Sequence, residues 1–331
     1  MKKYIQTLEL IEGSEIISLD HLCSLTGRKP NVVGAEICFL RKEKNKNILM
    51  KRIGKKKYYY FEENLKKREF YVRQTKIKDA GILHIIYPKK SIKIIPTGDW
   101  HVESQETFDK VWNFLEEKTN EGFFFIGGGD LVELSHKGSV GDGVYRQQFD
   151  NQTQRDCIKK ILKKFGHRFL YIQSGNHESR LSVTMGMNFL KDICQDNDIA
   201  YVEGRAFVNL ETEGRNTIIH SIHKITGILR NTKQQNTWRK FSNEFQAHFY
   251  LGFHGHEGLL EPNQFRVFMN PVTLKLEIER FFGIMSPSFL PYLSGYGDKN
   301  GYLVPCPAIY SILIKNKNYE VEEISFDKEV K

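Results

Sequence analysis

Paired cysteines and long apolar runs are both missing from this sequence. Its five cysteines (Cys23, Cys38, Cys157, Cys194 and Cys306) are odd in number and widely scattered, and none forms a Cys-x-x-Cys pair. This excludes a disulfide framework and a zinc knuckle as organising devices and fits buried thiols in a reducing cytoplasm. No apolar stretch approaches the ~20 residues that a membrane span needs, so no membrane partner is expected. The first residues, Met1 to Gln6, carry charge with no apolar run behind them, and a secretory signal is not expected either.

What is present is an ordinary globular composition, 40% hydrophobic and 27% charged, on 331 residues. That length suits a large core plus a second small domain. The net charge of +9 is unevenly placed, with 21 Lys/Arg against 10 Asp/Glu among residues 1–90. The remainder is near neutral, so a polyanionic partner is expected to meet the N-terminal part.

Five short apolar runs each end in a polar cluster. Ile92–Pro96 precedes Thr97-Gly98-Asp99-Trp100-His101, and Phe123–Ile126 precedes Gly129-Asp130-Leu131-Val132-Glu133. Phe169–Ile172 precedes Gly175-Asn176-His177-Glu178, Ile218–Ile222 precedes His223, and His248–Leu251 precedes His254-Gly255-His256. Buried strands read as short apolar runs, and ligands of open α/β sheets gather just past strand ends. Asp, His and Asn repeated at those tips point to one catalytic metal site. Amphipathic stripes over Thr107–Lys118 and Gln154–Phe165 predict connecting helices, and Asp150 suits a helix cap. His220 competes with His223 for the fourth cluster. Strand-end placement favours His223. His136, His167 and His248 fit no cluster.

In this order, Asp-x-His, Gly-Asp-x-x-Glu, Gly-Asn-His-Glu, a lone His and His-x-His resemble the five motifs of the calcineurin-like metallophosphoesterases. The resemblance runs from about Ile92 to about Ile324. The segment Gly138–Gln148 and the tail Ser286–Pro307 resemble the phage-type branch, which would place the protein in a host cytoplasm. The family likeness implies an α/β fold, a four-layer αββα sandwich over residues 91–331. It implies two divalent cations, with Asp130 bridging them. Asp99, His101 and His256 complete one site, and Asn176, His223 and His254 the other. Mixed N and O ligands suit Mn best, with Fe, Zn or Ni as alternatives. By the same likeness His177 is the general acid, Glu133 its carboxylate partner, and Arg180 a candidate for the substrate phosphate.

Three departures stand out. Glu133 replaces a commoner Asp, Phe253 stands where Gly usually precedes the His pair, and Leu134 stands where protein phosphatases carry a phosphate-binding Arg. The last argues against phosphoprotein as the native substrate.

Within residues 1–90, Ser18–Leu25 predicts a capped helix, Pro30 opens a second, and Ile48–Ile53 with Tyr58–Phe61 predicts a hairpin. Together these look like a winged helix-turn-helix, with Lys51, Arg52, Lys55, Lys56 and Lys57 on the wing as candidate DNA-binding residues. Arg28, Lys29, Asn31 and Arg41 are expected to face outward. Residues 62–88 are expected to be a linker, or a helix and a strand. The expected function is hydrolysis of phosphate esters of DNA or another nucleic acid. The alternatives are a phosphomonoesterase on phosphoprotein or small esters, and a non-catalytic DNA-binding regulator.

Overall fold

The computed structural model describes residues 3–12, 17–42, 44, 46, 48–53, 56–61, 69–77, 80–135, 147–186, 188–224, 238, 241–256, 258–269, 275–290, 308–315 and 318–324. Lys55, His136, and most of the 138–148 and 286–307 segments lie outside them.

The chain begins with helix α1 (Lys3–Glu12), a short strand β1 (Ile17–Ser18), helices α2 (Leu19–Thr26) and α3 (Pro30–Lys42), and a hairpin of β2 (Ile48–Ile53) and β3 (Lys56–Phe61). Ser18 caps α2 by accepting the His21 N–H, and Gly27 ends it at φ +67°. Val33, Ile37 and Leu40 form the buried stripe of α3 and pack with Ile11, Leu22, Ile48 and Tyr59. The three strands pair in the order β1-β3-β2. Two of the four residues expected to face outward are held within this unit. Arg28 is paired with Glu36 at 2.8 Å, and Arg41 Nε donates to the Ile48 carbonyl at 2.6 Å.

Strands β4 (Tyr71–Ile77) and β5 (Ala80–Ile86) follow. They are no linker. β5 lies parallel to β10 (Arg205–Thr212), and β4 pairs with β5, so both belong to a large sheet. The division expected at residue 90 therefore falls within the larger unit. The basic unit meets that sheet at Glu211, whose carboxylate accepts from Tyr58 Oη at 2.8 Å and lies 3.2 Å from Lys56 Nζ and 3.0 Å from His84 Nε2.

Two sheets make the larger unit. The first has the order β16-β15-β6-β7-β8-β9. Its strands are β6 (Ser91–Thr97), β7 (Phe124–Gly127), β8 (Phe169–Gln173), β9 (Tyr201–Val202), β15 (Ile309–Lys315) and β16 (Asn318–Ile324). β6 to β9 run parallel, and α4 (Gln105–Asn120) and α5 (Asn151–Phe165) connect the first three. Ser104 and Asp150 cap these helices. The second sheet has the order β13-β14-β12-β11-β10-β5-β4 and adds β11 (Arg215–Lys224), β12 (Phe249–Phe253), β13 (Leu259–Met269) and β14 (Leu276–Met285). β15 pairs antiparallel with β6.

Alternating residues decide the layers. Ile94, Phe124, Ile126 and Ile312 of the first sheet share a buried cluster with Leu83, Val208, Ile219, Phe249 and Ile284 of the second. The intervening residues Ile95 and Phe125 point the other way, onto Val111 and Leu115 of α4 and Ile158, Ile161 and Leu162 of α5. Both faces of the first sheet are buried, hence the unbroken apolar runs. The outer face of the second sheet carries Trp238, Phe241 and Ala247 against Tyr250 and Phe281. The result is an α/β sandwich of two sheets.

Candidate metal centre

The C-terminal ends of β6, β7 and β8 in one sheet and of β11 and β12 in the other bring the polar clusters together. Asp99 and Asp130 are wholly buried. Each uses one carboxylate oxygen to fasten a neighbouring loop: Asp99 Oδ2 accepts the His254 N–H at 2.8 Å, and Asp130 Oδ1 accepts the His177 N–H at 2.8 Å. The other oxygens, Asp99 Oδ1 and Asp130 Oδ2, and His254 Nδ1 are buried without a hydrogen-bond partner among the described residues. They face imidazoles. Asp130 Oδ2 is 3.2 Å from His223 Nε2 and 3.8 Å from His254 Nδ1, while Asp99 Oδ1 is 3.6 Å from His256 Nε2 and 4.0 Å from His101 Nε2. His101 and His256 bring their Nε2 atoms within 3.2 Å of each other.

The outward nitrogens fix the tautomers. His223 Nδ1 lies 2.8 Å from the Gly128 carbonyl, which can only accept, so that nitrogen carries the hydrogen. His101 Nδ1 is held likewise by Glu133 Oε2 at 2.8 Å. In the neutral form that binds a metal, the inner nitrogens turn lone pairs toward oxygens that also only accept, including Asn176 Oδ1, 3.0 Å from His223 Nε2. Converging acceptors with no hydrogens between them suit cations, and imidazoles oriented by an outer acceptor are the usual ligand arrangement. Three sets of side chains among the described residues can close on an ion: Asp99, Asp130, His223 and His254; Asp99, His101 and His256; and His101, Asp130 and His177.

The electrostatics agree. Burial drives the Asp99 carboxyl up to about 6. Burial pulls the same way at Asp130, but His223 and His254 outweigh it and hold that carboxyl well below its ordinary value. His101 and His223 are buried too, yet Glu133 lifts the first and Asp130 the second to about 9, so without a cation a proton takes its place on each inner nitrogen. A positive charge is what this cluster of oxygens favours.

The backbone is strained where the chemistry is. Asp99, His101, Asp130, His254 and His256 all take positive φ, between 45° and 66°, a region that non-glycine residues seldom adopt. Cross-loop bonds hold these conformations. Asp99 N–H donates to the Gly129 carbonyl at 2.9 Å, His101 N–H to the Asp130 carbonyl at 3.1 Å, and Ser288 Oγ donates to the Asp99 carbonyl at 2.9 Å. Phe253, the unusual residue before the His pair, lays its ring over two glycines. A Cβ on Gly128 would sit 2.1 Å from it.

Glu178 has a role that its place in the sequence did not reveal. Its carboxylate is 2% exposed and accepts the N–H groups of Asp130 at 3.0 Å, Leu131 at 2.7 Å and Gly175 at 2.9 Å, tying two motifs together. The only sequence signal was an acid next to the His of an otherwise recognised cluster. Gly175 has no room for a side chain, since a Cβ there would lie 2.1 Å from Asp130 Oδ1. Gly175→Ala is expected to lower stability by about 1–3 kcal/mol and displace Asp130. Thermal melts and calorimetric titration with Mn²⁺ should show both a lower midpoint and weakened metal binding.

Glu133 meets two imidazoles at once. Its carboxylate serves His101, and His177 Nδ1 is 3.5 Å from Oε2 but 2.5 Å from the Glu133 backbone carbonyl. The same Oε2 thus lies between the two rings, closer to His101. His177 Nε2 faces Asp130 Oδ2 at 3.7 Å, and Arg180 Nη1 lies 3.3 Å from His177 Nδ1. Burial and the neighbouring His101 keep the His177 imidazole below its ordinary value. His220 is elsewhere, stacked on Phe207 at 4.7 Å on the outer side of the second sheet. His248 bonds the Ile218 N–H and Glu279.

No protein-family model matches the chain, and no curated protein matches it in sequence. Among solved structures it is similar to a conserved uncharacterized protein of Streptococcus pneumoniae TIGR4, a predicted phosphoesterase. The identity is 12% and the TM-score 0.34, over 73% of this chain and 93% of that one. It is also similar to Vacuolar Protein Sorting 29 of Cryptosporidium parvum, at 12% identity and TM-score 0.35, over 72% of this chain and all of that one. A zinc complex of Vps29 from Entamoeba histolytica gives 11% and 0.31, over 71% of this chain and all of that one. Likeness at this level leaves the chemistry to be argued from the side chains themselves.

Proposed function

We propose that the chain is a two-metal phosphoesterase. The observation that carries this is the pair of buried carboxylate oxygens, Asp99 Oδ1 and Asp130 Oδ2, each converging with imidazole nitrogens and without a hydrogen-bond partner among the described residues. Asp99, His101 and His256 would hold one divalent cation, and Asn176, His223 and His254 the other, with Asp130 shared. Mn suits this set of N and O donors, as would Fe, Zn or Ni. When bound, such a pair of ions neutralises phosphate charge and activates water. His177 keeps its Nδ1 hydrogen on the Glu133 carbonyl, which leaves Nε2 to carry a proton to the departing alkoxide. Arg180 stands beside it, where a guanidinium can hold a phosphate oxygen.

The substrate we propose is a nucleic-acid phosphodiester, and the support is the charge surplus of residues 1–90. Helix α3 contributes little to such a contact, since Val32 and Phe39 are exposed on it and its Arg41 is engaged by the Ile48 carbonyl, as Arg28 in the preceding turn is by Glu36. The hairpin β2–β3 then carries the contact, through Lys51, Arg52 and Lys57, with Lys56 shared with Glu211. Replacing Lys51, Arg52, Lys55, Lys56 and Lys57 by Gln should weaken duplex binding and flatten the slope of log K against log salt by about 0.9 per lost phosphate contact. Turnover of a small diester should stay unchanged. Unaltered salt dependence would remove nucleic acid as the partner of this unit. The function itself is tested by assaying the Mn-loaded protein on bis-p-nitrophenyl phosphate, mono-p-nitrophenyl phosphate and single- and double-stranded DNA side by side. Activity on the monoester alone would favour a phosphomonoesterase, and activity on none would overturn the proposal.

A further inference from the structure

Gln154, in the first turn of α5, has no exposed surface, and its amide is hydrogen-bonded at both ends. Oε1 accepts the N–H groups of Glu133 at 3.1 Å and Leu134 at 3.0 Å, and Nε2 donates to Gln147 Oε1 and the Phe149 carbonyl, both at 3.0 Å. Gln147 in turn accepts the Ser135 N–H at 3.2 Å and donates to the Ser135 carbonyl at 3.3 Å. Between them lies Leu134 at φ +46°, a conformation that costs a leucine about 1–3 kcal/mol and persists only where its surroundings enforce it.

The peptide joining Glu133 to Leu134 is one rigid plane. Gln154 holds its N–H end. Its carbonyl end accepts His177 Nδ1 at 2.5 Å. α5 therefore reaches the His177 imidazole through a single planar group without touching the ring. We propose that Gln154 is a positioning residue that aims this carbonyl and so sets the direction in which His177 Nε2 meets the leaving group. The proposal rests on the reading of His177 as proton donor.

The test uses the full-length, Mn-loaded protein and a series of phosphate esters whose leaving groups run from p-nitrophenol to simple alcohols. Gln154→Met removes the whole network at similar volume, and Gln154→Glu keeps both N–H contacts while losing both donors. Gln154→Met should lose ~10–100-fold in kcat on the poorest leaving groups and less than about 3-fold on p-nitrophenyl esters, with KM and metal content unchanged. Gln154→Glu should lose less in the same pattern, and it carries the comparison if Gln154→Met does not fold. Added to His177→Ala, neither change should reduce turnover further. A loss in the Gln154 variants that is uniform across the series, while His177→Ala remains leaving-group dependent, overturns the proposal alone. A uniform loss in His177→Ala itself removes the parent reading and this inference with it.

Discussion

Asp130→Asn is expected to lower turnover by about 10³-fold or more and to remove at least one of the two proposed metals. Each factor of ten is about 1.36 kcal/mol, and loss of a shared, charged ligand costs several. The substitution is nearly isosteric, so the fold should survive. An Asn that keeps its carbonyl toward the His177 N–H must turn its NH₂ toward His223 and His254, placing donors where a cation belongs. Metal analysis of the purified variant, with turnover of bis-p-nitrophenyl phosphate, checks both parts. Full metal content with near-normal activity would show that Asp130 is no shared ligand.

His177→Ala is expected to behave differently. It should keep its metals and lose ~10²–10⁴-fold in kcat on esters with poor leaving groups, with a far smaller loss on good ones, which depart without a proton. Loss of metal, or an equal loss on both kinds of ester, would show that the imidazole does not serve as the acid. Because the His177 N–H holds Asp130 Oδ1 through the backbone, the Ala side chain leaves that contact in place.

The metal centre was legible because strands buried on both faces leave apolar runs with abrupt polar ends. β6, β7 and β8 have that character. His223 could be preferred over His220 from strand-end placement. The structure adds the physical reason: Ile219, Ser221 and His223 alternate onto the inner face, and Ile218, His220 and Ile222 onto the outer. Periodicity gives that parity but not which side carries the candidate ligands. β4 and β5 were lost among charged residues because β4 is an edge strand whose Arg73, Gln74 and Thr75 are exposed, and such a strand reads like a linker. That Glu133 also reaches His101 was not legible, because side-chain reach is decided by tertiary distances that spacing does not record. Gln154 gave no signal at all, being a polar residue at the start of an amphipathic helix.

The bonds that cross between the sheets have a mechanical consequence. The His254 N–H on the second sheet fastens Asp99 on the first, and the Gly128 carbonyl on the first fastens His223 on the second. The ligands therefore sit on two plates joined like the halves of a clasp, and their spacing is the gap between the plates. Anything that wedges the plates apart at Phe249 or Ile94, far from any ligand, opens the clasp. Metal grip becomes a gauge of how tightly the whole sandwich is closed.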